Sequence, residues 1–270
     1  MRGINNRQKG DNNTQIGEQT NIESLTVVNN GLSATEATKL AIDLFHENFP
    51  KLQQEAQKII ESRIEDFCDK AIKKIIEKKG NDFSAFADPD MQYCLLEAQK
   101  DYARFGTNEL RNSLANLIAT RAAYDKDFKI KVVIDKAIQI AKYLTVNELD
   151  LLSIIFYSKH TEFSDVANSN NKLEALKNRL EYISQSFSNA DKGDSNILNN
   201  FGCLQLSLDT SWQRLAKTYS LDKNEVKNIC PQVFLNVHGD YGLSYVGKVI
   251  AIMNVENKTG QTLNLETWLK

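Results

Sequence analysis

Apolar side chains recur every three or four positions in one segment after another of this chain, with charged residues between them. Ser33 and Glu36 stand at capping-box spacing, and Leu40, Ala41, Leu44 and Phe45 then share one helical face. Pro50 punctuates the pattern, so a new helix is expected after it. Its stripe runs through Leu52, Ala56, Ile59, Ile60, Phe67, Cys68, Ala71, Ile72, Ile75 and Ile76 until Gly80 closes it as a C-cap. A loop follows at "GNDFSAFADPD", in which Asp88 and Pro89 read as an N-cap and first turn. Helices are predicted over 90–105, 107–123 and 126–143. Another opens in "LTVNELDLLSIIFY", with Thr145 as cap and Glu148 at the capping-box position.

Near residue 164 the pattern changes. "SDVANSNN" and "SNADKGDSNILNNFG" are clusters of Asn, Ser, Asp and Gly that read as loops around one helix, 171–187. Beyond Gly202 the segments shorten: a strand at "CLQLSL", helices near 209–218 and 222–228, an undetermined "QVFLNV", and a final strand in "TLNLETWLK". The expected fold is mainly α, with a helical domain over 32–163 and a small mixed α+β part over 164–270. Residues 1–31 stand apart as an arm.

That arm holds seven Asn, three Gln and four Gly and has no aromatic residue. Such a segment buries too little apolar area to offset the entropy of ordering, so it is expected to be disordered in the monomer. A short strand at "NIESLTVV" is the local exception. The rest of the chain, with 41% hydrophobic residues overall, can fill a core.

Lys and Arg number 33 against 35 Asp and Glu, and no block of like charge interrupts the balance. Strong nucleic-acid binding is therefore not expected. Cys68, Cys94, Cys203 and Cys230 form no CxxC pair, which removes a zinc knuckle and a redox motif and suits buried free thiols in a reducing cytosol. No apolar region follows Arg2, Arg7 and Lys9, so a signal peptide is not expected. "LDLLSIIFY" is too short to span a bilayer.

Candidate chemistry is sparse. His46, His160 and His238 lie in no HExxH, HxH or His-Cys arrangement, and no GxSxG, GxxxxGK[ST] or GxGxxG motif occurs. "HGDYG" places His238 and Asp240 among glycines, either as the lining of a site or as a tight turn, which such residues ordinarily build. Glu61 with Glu65, and Asp66 with Asp69 and Lys70, read as solvated helix faces. No catalytic residue, metal ligand or cofactor is predicted.

Three resemblances add to this reading. "YGLSYVGKVIA" resembles the wing-to-helix passage of winged-helix domains, although the preceding "DKNEVKNICPQVF" offers only Lys223 and Lys227 where a DNA-reading helix would be basic. "TQIG", Thr14 to Gly17, resembles the core tetrad of the RIP homotypic interaction motif and of bacterial amyloid signalling motifs, with Thr14 in place of Ile or Val. In a stacked assembly Asn12, Asn13 and Gln15 would form amide ladders, Thr14 and Ile16 would share one zipper face, and Gly17 would permit a sharp turn. A plain flexible arm, or one ordered by another partner, explains the same composition. Finally, the whole chain is similar to an uncharacterised bacterial family that joins a GDN-type tail to helices. The shared elements are "YLTxxELDxL", Tyr143 to Leu151, and "LTxxGxxIxxxN", Leu243 to Asn254, with Ser244 for Thr. That resemblance implies a bacterial cytosolic protein with a defence-associated role.

The expected function is thus that of a non-enzymatic interaction or signalling protein. It would self-associate, as a homo-oligomer, or recruit a protein through the arm. An enzyme with an unrecognised site, a winged-helix DNA-binding regulator and a membrane-disrupting effector are the alternatives.

Overall fold

A computed structural model describes residues 34–124, 126–236 and 241–269, with side chains from Gln53 onward. The arm residues Asn12, Asn13, Thr14, Gln15, Ile16 and Gly17, the strand expected at 21–28, and His238 and Asp240 lie outside the described residues. Contacts divide the chain into two units, 1–60 and 61–270.

Helix α1 (Ala34–Lys79) is continuous through Pro50, contrary to the break expected there. A proline removes one backbone donor but fixes φ near its helical value. No glycine stands between Gly31 and Gly80 to end the helix elsewhere. Gly80 closes α1 with φ +65°, its N–H donating to Ile76 O at 2.8 Å.

Within 61–270, caps set the helix limits. Asp88 accepts from Asp90 N and Pro89 opens α2 (Pro89–Phe105), which ends at left-handed Gly106. Thr107 caps α3 (Asn108–Ala123), and Asp127 caps α4 (Phe128–Ala141). The capping box of Thr145 and Glu148 opens α5 (Val146–His160), as predicted. After the single turn α6 (Ser164–Ala167) comes α7 (Lys172–Ser186), the helix expected over 171–187.

The expected loop 188–202 is more ordered than its composition suggests. It contains a 3₁₀ turn, Ala190–Lys192, and the short α8 (Ser195–Asn200), capped by Asp194 and anchored by fully buried Leu198. The chain continues through β1 (Leu204–Leu206), α9 (Ser211–Tyr219), α10 (Lys223–Ile229), α11 (Gln232–Asn236), β2 (Tyr241–Leu243) and α12 (Tyr245–Thr259). The final strand expected in "TLNLETWLK" is instead an irregular stretch leading into α13 (Glu266–Leu269). Leu265 is buried there, and Asn264 Oδ1 caps Glu266 N at 2.9 Å, so the apolar positions pack on helices rather than on a sheet edge.

The sheet among the described residues has two antiparallel strands, with Leu204 opposite Leu243, Gln205 opposite Gly242 and Leu206 opposite Tyr241. The two strands are separated in sequence by α9–α11, and β2 passes directly into α12 through Ser244. The Ser244 hydroxyl accepts from Gly247 N and donates to Gly202 O. That strand-to-helix turn is the one the winged-helix resemblance anticipated.

Helices α5 and α12 are buried on almost every side, and α12 packs against α3, α4 and α5. The last helices therefore complete the core begun by the first. A Cβ on Gly247 would fall inside the carbonyl of Cys203, so the absence of a side chain lets β1 approach the first turn of α12.

Candidate functional site

The α5 motif residues Glu148 and Asp150 have little exposed surface, and both point into structure. Asp150 Oδ2 accepts from the backbone and side-chain amides of Asn189 at 3.3 and 3.1 Å. Glu148 Oε1 accepts from Asp194 N at 3.2 Å. On the α12 side, Asn254 donates to Asp150 Oδ1 and to Ser153 Oγ, and Lys258 Nζ lies 2.6 Å from Asp150. The elements Tyr143 to Leu151 and Leu243 to Asn254 thus meet in one buried network. It pins segment 189–194 against α5.

That pinned segment forms one wall of a cavity of about 550 Å³. Leu151 and Ile155, one turn apart on α5, join Leu204, Val233 and Leu235 as its apolar lining. Asp191, Asp194, Ser195 and Asn196 supply polar groups from the pinned wall, and Asn236 and Tyr241 from β2 and the end of α11. The wall lies tight on α5: a Cβ on Gly193 would come within 2.8 Å of Asn147 O and of Leu151 Cβ. The volume suits a small organic molecule or a buried side chain. Asn236 and Tyr241 also flank residues 237–240, the segment that holds His238 and Asp240.

The other polar clusters are committed to structure. Asp90, Cys94 and Asp135 bring three potential metal-ligating atoms within 4.8 Å of one another. Fully buried Arg121 takes that place, donating through Nε to Asp135 at 2.7 Å and through Nη2 to Asp90. Burial and then Asp135 push the Cys94 thiol up to about 12, so it keeps its proton and donates to Asp135. A donor set already held by a guanidinium does not fit a divalent cation. Cys203 and Cys230 are likewise raised to about 12 by burial, which makes them poor nucleophiles.

His160 is a partly buried acceptor. Its Nε2 receives Leu243 N at 3.0 Å and so fixes β2 to the end of α5. Burial, with Lys248, Arg214 and Lys159 nearby, lowers its pKa to about 4 and keeps it neutral. Arg214 donates to the carbonyls of Ser158 and Thr161 and so serves the C-terminal end of α5, while Lys159 on α5 donates to the carbonyl of Asp209 and ties that end to the loop before α9. Asp66, expected on a solvated face, is half-exposed and also binds Arg111 at 2.6 Å and accepts from Tyr102 Oη at 2.9 Å. The Arg111 hydrogen bond, followed by that of Tyr102, lowers its pKa.

Sequence reasoning located Glu148 and Asp150 within a shared element but missed the acidic wall at Asp191 and Asp194. The available signal was the Asp-Ser step at 194–195 before Ile197 and Leu198, a helix-start pattern inside an apparent loop. On α10, Lys223 and Lys227 stand beside Asp222 and Glu225, so that helix has no basic surplus. Among the described residues no helix is long and apolar enough to cross a membrane.

No curated protein and no solved structure matches the chain. A family model described as ":-like", words that state no activity, matches residues 31–239. The match includes the Tyr143 to Leu151 element and the acidic wall, and it covers neither Asn12 to Gly17 nor Leu243 to Asn254. Through those residues, most of its length, the chain belongs to the family of that description.

Proposed function

We propose that this protein is a non-enzymatic interaction or signalling component, which self-associates or recruits a protein partner through its N-terminal arm. The observation that carries the reading is the edge of β1. Leu206 is 83% exposed and Leu208 is fully exposed, beside a strand that has one hydrogen-bonded neighbour among the described residues. An apolar, open strand edge is a template for pairing with another strand. The commitment of Arg121, Glu148, Asp150 and Lys159 to internal hydrogen bonds supports the non-catalytic part of the reading. A bacterial defence setting follows from the resemblances of the tail and of the two helical elements.

The test is light scattering of the full chain with thioflavin fluorescence, on wild type, Ile16→Asp, and the double variant Leu206→Lys/Leu208→Lys. Wild type should associate, Ile16→Asp should remain dispersed, and the β1 variant should form smaller assemblies. A wild type that stays monomeric under seeding, or equal assembly by all three, overturns the reading.

A further inference from the structure

We propose that the cavity between α5 and the 189–196 wall is a binding site for an organic cation, an ammonium or guanidinium carried on an apolar body. The charge of its lining is one-sided. Among the described residues Asp191 and Asp194, exposed at the wall, form no ion pair, and neither lysine nor arginine lines the cavity. Asp194 spends one oxygen on the N–H of Asn196 at 2.8 Å, which leaves the other for a donor. Below the acids, Leu151, Ile155 and Leu204 offer an apolar floor that water cannot satisfy. An amphiphile with a cationic head would meet both surfaces. An anion would be repelled, and a neutral body would gain no charge pairing.

The wall is built in advance. Glu148 and Asp150 receive the backbone amides of Asp194 and Asn189, so the acids are held without the ligand. Such preorganisation lowers the entropy cost of binding. The proposal stands independently of self-association through the arm.

Three probes with one body and different heads test it on the full chain by calorimetry: 4-phenylbutylamine, 4-phenylbutanol and 4-phenylbutyrate. The amine should bind at least about tenfold more tightly than the alcohol, and the acid least of all. Asp191→Asn/Asp194→Asn removes both charges while keeping an asparagine cap on α8, and it should erase the amine preference without moving the thermal melt. Leu235→Trp should weaken all three probes by filling the cavity. The dipeptide N-acetyl-Phe-Arg-amide separates sources of the same chemistry. Tighter binding than the amine assigns the site to a basic side chain of a peptide, and weaker binding to a free amine. Equal binding of amine and alcohol, an amine affinity unchanged in the double variant, or no binding of any probe overturns the proposal.

Discussion

Asn254 on α12 donates its side-chain amide to the fully buried carboxylate of Asp150 on α5, at 3.2 Å and across 104 residues of chain. Lys258, one turn further along α12, and Asn189, from the cavity wall, complete the shell of that carboxylate. Removing it leaves an ammonium and three amides, the side chains of Asn254 and Asn189 and the Asn189 backbone N–H, without that acceptor. Asp150→Ala should therefore destabilise the body by roughly 3–5 kcal/mol, whereas Asp150→Asn should cost less. Urea unfolding of the two variants checks this; equal and small losses in both would show that the network is peripheral to stability.

Gly247 and Gly80 should respond differently to alanine. At Gly247 a methyl group runs into the Cys203 carbonyl, a backbone atom that cannot swing aside. At Gly80 the space is open and only the positive φ opposes the change. Gly80→Ala should cost about 1 kcal/mol, and Gly247→Ala distinctly more, at about 3 kcal/mol, with separation of β1 from α12. Thermal melts rank the two.

His160 makes stability depend on pH. Its folded pKa of about 4 lies below the ordinary histidine value of 6.5, so the folded state favours the neutral ring. Between those values the unfolded chain binds more protons, and stability rises with pH. The contribution is complete above about pH 6.5 and is lost progressively as pH falls toward 4, by up to roughly 3 kcal/mol. His160→Gln retains an acceptor for Leu243 N and should flatten that part of the profile. Urea titrations at several pH values in this window measure it; a slope unchanged in the variant assigns the effect to another group.

Deleting residues 1–31 should leave the cooperative melt of the body in place and abolish assembly. The arm lacks aromatic residues, and the family match begins only at Gly31. Calorimetry with light scattering on the shortened chain reads both outcomes. A lowered melting temperature would show instead that the arm is part of the fold.

The helical architecture was legible wherever local chemistry decided it. Thr145 and Glu148 announce α5 by their spacing, and Asp88, Pro89 and Gly80 mark helix limits through conformational preferences that need no distant partner. Reading failed where the deciding contact was remote. The alternation in "TLNLETWLK" suits a strand, but Trp268 packs edge-on against Phe156, 5.0 Å between centroids, and no strand lies beside it among the described residues. The cavity wall was hidden for the same reason. Its residues are typical of loops, and their placement comes from Glu148 and Asp150, about forty positions upstream.

One oxygen of Asp150, Oδ2, accepts both from Asn189 in the wall and from Lys258 on α12. Displacing the wall would withdraw two donors from that oxygen and leave it leaning on the ammonium alone. A cavity hinged on a shared acceptor is mechanically geared to the core, so a change in what fills it would be felt at the helix on the other side.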